Sequence, residues 1–228
     1  LIRAERSAKD AAKRAKERAV ALAEQEAQRK RENLNIYRQK CAAICAAVSK
    51  RPTNLKLVFD LETTGLSEVK NEIIQIAIIK FHHFQPAEIL SSYVKPRRGL
   101  KPEAAAINHI TEDMVADAPY IEQIMQSVDA FIGERAPIVA HNLQFEYKFL
   151  AANGSENIVK KRPLYDTLEL SKRIWRLESY SLENVCRNTF KFTPALHNAE
   201  SDALTCGLLF REICSERIGS LKDALACE

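Results

Sequence analysis

Residues 55–66 read Leu-Lys-Leu-Val-Phe-Asp-Leu-Glu-Thr-Thr-Gly-Leu. The apolar run at 55–61 has the make-up of a short buried strand. Asp60 and Glu62 stand two residues apart at its end, so on a strand both carboxylates project from one face. Charged residues seldom finish a buried strand without a task. Two neighbouring carboxylates repel, a divalent cation relieves that repulsion, and hard oxygen donors suit Mg2+ or Mn2+. The competing reading is an exposed strand end with a Thr-Gly turn. In the metal reading, Thr63-Thr64-Gly65 turns the chain away and leaves hydroxyls and backbone N–H groups beside the carboxylates.

The segments that follow alternate. Residues 72–81 (EIIQIAIIKF) are β-branched and long enough for a second strand, and 88–94, bounded by Pro86 and Pro96, read as a third. Turn signals between these runs favour an antiparallel meander. Residues 102–108 and 121–132 have helical patterns, PIVA at 137–140 is a short buried strand, and a helix runs on through Leu150. A fifth strand is expected at 164–166, then a helix to about residue 175. Two last helices are expected at 182–188, with Ser181 as N-cap, and at 199–216. Three strands followed by alternating α and β give an α/β fold: a mixed five-stranded sheet flanked by helices.

Before this body, residues 1–49 hold no Gly and no Pro and are rich in Ala, Lys, Arg, Glu and Gln, all good helix formers. Residues 1–51 carry 14 Lys and Arg against 6 Asp and Glu, while 52–228 carry 20 against 24, so the formal charge of +4 describes neither part. We read 1–51 as a basic, Ala-rich helical arm and 52–228 as one domain. The arm is a solvated helix, a coiled-coil or tether segment, or a phosphate-contacting element. The longest apolar run, 41–48, is eight residues, whereas a membrane helix needs about 20. The N-terminus has no signal-peptide core, and the six cysteines include no C-x-x-C pair. A reduced, cytoplasmic setting without membrane attachment is the simplest expectation. The chain starts at Leu1, as a piece of a longer protein would.

Two more clusters stand out. Residues 141–150 are His-Asn-Leu-Gln-Phe-Glu-Tyr-Lys-Phe-Leu, directly after the PIVA strand. Asn142 fits a helix N-cap, and Glu146 lies one turn in, near the buried side marked by Phe149 and Leu150. Alone, one helical acid is usually solvated. Residues 197–202 are His-Asn-Ala-Glu-Ser-Asp. His197 and Asp202 are five apart, which on a continuous helix separates them by about 500°, so they converge only if His197 lies in the loop before it. Asn198 is a suitable cap, and an imidazole near neutral pH suits general-base work.

In this order, the segments FDLETTGL (59–66), HNLQFEYKFL (141–150) and HNAESD (197–202) resemble the DnaQ-like DEDDh branch of the DEDD exonuclease superfamily. Asn198, four residues before Asp202, stands where the tyrosine branch has its tyrosine. Ile107-Asn108-His109-Ile110-Thr111 and Tyr165-Asp166-Thr167-Leu168 also look like family segments. The resemblance implies a ribonuclease H-like fold and 3′–5′ hydrolysis of DNA or RNA by two Mg2+ or Mn2+ ions, releasing nucleoside 5′-monophosphates. It implies that Asp60, Glu62 and Asp202 hold metal, with Glu146 in the fourth carboxylate position, and that His197 is the general base. Thr63, Thr64, Gly65, Leu66 and His109 would shape the terminal-nucleotide pocket, and Asn142 and Phe145 the adjoining groove. Asp166 reads as a helix cap, His82 and His83 as surface residues, and Cys186, Cys206 and Cys214 as core. Expected partners are a nucleic acid with a 3′ end, and a polymerase, another protein or a second copy through the arm. The family pattern has Asp where this chain has Glu146. One extra methylene displaces the carboxylate by about 1.5 Å, against a usual catalytic tolerance of about 0.5 Å. The alternative is therefore a weakened or inactive nucleic-acid-binding or docking module.

Overall fold

The computed structural model describes residues 55–190 and 197–216, with side chains to 214, together with Gln25 and Gln28. Those two glutamines are helical and exposed; the rest of the expected arm, and its boundary at 51–52, lie outside the described residues. Five strands form one sheet: β1 (Lys56–Thr63), β2 (Ile73–His82), β3 (Gln85–Tyr93), β4 (Ile138–Ala140) and β5 (Leu164–Asp166), in the order β3-β2-β1-β4-β5. The first three make the expected antiparallel meander, and β4 and β5 run parallel to β1. The helices are α1 (Pro102–Asn108), α2 (Glu112–Val115), α3 (Ile121–Ile132), α4 (Leu143–Ala152), α5 (Thr167–Ile174), α6 (Leu182–Phe190) and α7 (Ala199–Glu216).

Two details differ from the sequence reading. β3 starts at Gln85 and so contains Pro86, which had marked a boundary. β3 is the edge of the sheet, where a residue without an N–H removes no ladder bond that matters, and the pairing shifts register beside it at Lys80/Phe81. The short helix α2 had no signal long enough to read. His82 and His83 are exposed, as expected, and His83 and Phe84 form a two-residue hairpin turn at φ of 52° and 61°.

The sheet is packed on both faces. Leu57, Phe59 and Leu61 of β1 point into a core with Met125, Val128 and Ile132 of α3 and Phe149 and Leu150 of α4. The alternate residues of β1, Asp60 and Glu62, face the opposite way, towards α7. That helix is buried along most of its length and crosses β1 and β2. Gly207 allows the close crossing: a Cβ there would sit 2.3 Å from the Phe81 ring. Truncating a fully buried ring such as Phe59 or Phe149 would cost about 3–5 kcal/mol. From β1 the chain builds the sheet outward through β2 and β3, then returns to β4 on the other side. The strand order therefore reverses between β1 and β4. In open α/β sheets the carboxyl ends at such a reversal form the ligand crevice.

Candidate active site

Asp60 and Glu62 lie near the carboxyl end of β1, paired across the strand with Ala77 and Gln75. The chain then turns sharply. The Thr63 hydroxyl donates to the Gly65 carbonyl at 2.7 Å, and the Thr64 hydroxyl accepts from the Glu72 N–H at 3.0 Å. Both hydroxyls therefore take part in the turn that leaves the carboxylates. Gly65 has φ +152°, and a Cβ there would meet Asn71 at 2.7 Å, so glycine is needed twice over. Leu66 is 86% exposed. Glu72 extends the arrangement: its carboxylate accepts the N–H groups of Arg97 and Arg98, each at 3.0 Å.

The second cluster opens α4. Asn142 occupies the N-cap position at φ 73°, but its side chain makes no capping bond. Asp166, at the end of β5, does that work: its carboxylate accepts from the Asn142 and Leu143 N–H groups at 3.1 and 3.0 Å. His141 is a fastening. Its Nε2 donates to the Tyr180 carbonyl at 2.8 Å, which leaves Nδ1 facing the Thr167 hydroxyl at 2.9 Å. Glu146 is not solvated: it is 4% exposed, and its Oε2 has no hydrogen-bond partner.

The third cluster opens α7. His197 lies before the helix at φ 65°, and its N–H donates to Asp202 Oδ2 at 3.1 Å, so loop and first turn converge. Asn198 caps the helix through the Glu200 and Ser201 N–H groups. The exposed His197 ring meets the His109 ring edge-on, with centroids 6.4 Å apart. Gln75, buried in β2, accepts the Ala199 N–H at 3.1 Å and ties this helix start to the sheet. The sequence reading overlooked Gln75, although one polar residue inside the apolar run EIIQIAIIKF was a visible signal.

Asp60, Glu62 and Asp202 bring carboxylate oxygens within 4.8 Å of one another. Glu146 is not part of that trio, yet it is near enough to raise the Asp60 carboxyl. All four are pushed up, first by burial. For Asp60 the charges of Asp202, Glu146 and Glu62 add to the effect. Glu62 rises to about 7. Asp202 feels Glu62 as well, partly offset by the His197 N–H. Glu146 feels Asp166. The buried Oε2 of Glu146 and Oδ1 of Asp202 have no partner. Acid groups this close, with two oxygens unspent, fit a divalent cation; ligands of one Mg2+ at about 2.0–2.1 Å lie nearly this close together. Leu66, Glu68, Asn142, Gln144, Phe145, Lys148 and Phe149 line a groove of about 180 Å³ whose lining includes none of the three clustered carboxylates. The structure thus brings Leu66, Asn142 and Phe145 to one groove. Of the described cysteines, Cys186 and Cys206 are buried and Cys214 half-buried. Among the described residues no helix is long and apolar enough to cross a membrane.

Residues 57–210 match the RNase_T family model, described as exonuclease. The chain is 33% identical to DNA polymerase III subunit epsilon of Treponema pallidum over 67% of its own length and 73% of that protein. It is 34% identical to the PolC-type DNA polymerase III of Halalkalibacterium halodurans over 69% of itself, but spans only 11% of that polymerase. Among solved structures it resembles exonuclease X in complex with 5′ overhanging duplex DNA: TM-score 0.55, 27% identity, 71% of this chain and 92% of that one. Exonuclease I superposes at TM-score 0.64 with 17% identity, covering 76% of this chain and 43% of that one, a likeness of fold. The mixed sheet with flanking helices is the ribonuclease H-like fold of these nucleases.

Proposed function

The chain belongs to the RNase_T exonuclease family, and from that premise we propose that it removes nucleotides from the 3′ end of DNA or RNA as nucleoside 5′-monophosphates. The observation that carries this reading is the trio Asp60, Glu62 and Asp202 within 4.8 Å, with unspent oxygens on Asp202 and Glu146. Two Mg2+ or Mn2+ ions, held by Asp60, Glu62 and Asp202 with Glu146 as the fourth carboxylate, would supply charge neutralisation and Lewis acidity at the phosphate. His197 stands exposed beside Asp202 and takes the proton of the attacking water as its oxygen bonds to phosphorus and the bond to the 3′ oxygen breaks. The bond from its backbone N–H holds the loop that bears the base beside that carboxylate. The His109 ring packs edge-on against the His197 ring. Thr63, Thr64 and Gly65 give the turn that presents Leu66 at the terminal nucleotide, and Asn142 and Phe145 flank the next one.

Exonuclease X bound to DNA supports a nucleic-acid ligand, and the likeness to subunit epsilon supports a polymerase partner. The basic residues 1–51 are the segment for recruitment or self-association. A second reading rests on Glu146 standing apart from the trio: a weakened module that holds 3′ ends with little turnover. The test is a nuclease assay on 3′-labelled single-stranded and duplex DNA and RNA in Mg2+ and Mn2+. Mononucleotide release that stops in EDTA and in Asp60→Ala is expected. Turnover that persists in Asp60→Ala sinks the assignment, and salt-sensitive binding without turnover favours the module.

A further inference from the structure

We propose that Asp166, outside the three acidic segments, is a positioning residue for this reaction; the proposal rests on the exonuclease reading above. One carboxylate serves two helices. Its Oδ1 accepts the N–H groups of Asn142 at 3.1 Å, Leu168 at 2.9 Å and Glu169 at 3.4 Å, and its Oδ2 accepts that of Leu143 at 3.0 Å. The first turn of a helix leaves N–H groups without partners inside the helix, and a carboxylate is the strongest acceptor for them. Here the carboxylate is held by β5, paired with β4 at Ala140, so the turns leaving two adjacent strands are locked to each other.

The neighbouring contacts reinforce the same junction. The fully buried Thr167 places its hydroxyl 3.2 Å from the Ala140 carbonyl and 2.9 Å from His141 Nδ1. Asn142 takes the left-handed conformation that asparagine tolerates better than other non-glycine residues, and the Asp166 bond fixes its N–H there. The turn thus fixed is the one that carries Asn142 and Phe145 to the groove and Glu146 to the acidic cluster. Asp166 is also close enough for its charge to raise the Glu146 carboxyl. A misplaced α4 would move groove and fourth carboxylate together, and catalytic groups tolerate displacements of only about 0.5 Å.

Asp129 provides a matched comparison. Its carboxylate accepts from the Ser155 hydroxyl at 2.5 Å and the Asn157 N–H at 3.0 Å, in a contact that holds no site residue. The experiment compares Asp166→Asn, Asp166→Glu and Asp129→Asn with the unsubstituted chain. It reads kcat and KM on a 3′-labelled oligonucleotide well below each thermal midpoint, Mn2+ affinity, and amide hydrogen exchange at residues 142, 143, 168 and 169. Asp166→Asn is expected to speed exchange at those four amides, to weaken Mn2+ binding, and to lower kcat at saturating substrate by about tenfold or more. Asp166→Glu keeps the charge but misplaces it, and it should not restore kcat. Asp129→Asn should lower the thermal midpoint and leave kcat unchanged. An Asp166→Asn enzyme with faster exchange and an unchanged kcat would reduce Asp166 to a structural cap and overturn the proposal, as would a lost kcat with unaltered exchange. An unsubstituted chain without turnover would refute the exonuclease reading instead; Mn2+ affinity and exchange would then decide on Asp166.

Discussion

Glu146 is the residue on which the chemistry turns. It sits where the family pattern has Asp, and it is buried with one oxygen unspent. Replacing it by Asp draws the carboxylate back by about 1.5 Å, the length of one methylene; such a shift exceeds the usual catalytic tolerance of about 0.5 Å. We expect Glu146→Asp to raise kcat severalfold in both Mg2+ and Mn2+. Steady-state assays in the two metals check this, and a lower kcat would mean that the longer side chain is matched to this backbone. Asp166 shows a different lesson at the same scale. From sequence it read as a helix cap, which it is, but the second helix that it caps lies 24 residues back along the chain.

At the scale of elements, the site depends on how α4 and α7 are fastened to the sheet. α7 carries Asp202 and begins beside His197, and its start is joined to β2 by the bond from the Ala199 N–H to Gln75. Gln75 pairs across the sheet with Glu62, so one side chain relates two of the acid-bearing elements. Gln75→Leu would leave a buried N–H without an acceptor, at about 1–3 kcal/mol. The expected outcome is a lower denaturation midpoint together with a lower kcat. If kcat in Gln75→Leu equals that of the parent, the bond has no part in placing α7. The β1 turn and the 95–101 loop are joined in the same manner by Glu72, whose N–H donates to the Thr64 hydroxyl and whose carboxylate accepts the Arg97 and Arg98 N–H groups.

At the scale of the whole molecule, the four carboxylates set a conflict between stability and charge. In the metal-free fold all are raised, Glu62 from its ordinary 4.5 to about 7. The folded state therefore holds protons that the unfolded chain releases. This stabilisation is complete below about pH 4.5 and is lost as the pH climbs through about 7, for Glu62 on the order of 3 kcal/mol at ~1.4 kcal/mol per unit. In EDTA the thermal midpoint should fall between pH 5 and pH 8, and Mn2+ at pH 8 should recover it, since bound cations replace the protons. Glu62→Gln should show a shallower descent. Melting curves with and without metal measure this, and a midpoint indifferent to both pH and Mn2+ would argue against a cation site. The same logic bears on the charge of the chain. Residues 52–228 hold 24 acids against 20 bases, yet three of those acids converge on one point, the arrangement that a divalent cation would neutralise.

The local patterns of this chain determined much. Strand and helix order followed from apolar periodicity, the meander from turn chemistry, and the condition that His197 must precede the helix to meet Asp202 from helix geometry. Those are short-range properties, written in neighbouring residues. Only the tertiary structure decided that Glu146 is buried, that Asn142 is capped by Asp166 and not by itself, that Pro86 lies inside an edge strand, and that Gln75 holds α7. The cap on Asn142 and the hold on α7 depend on partners far along the chain, 24 residues away for Asp166 and 124 for Gln75. Burial and long-range hydrogen bonds exist only once the sheet has closed around them, so no local pattern could carry them.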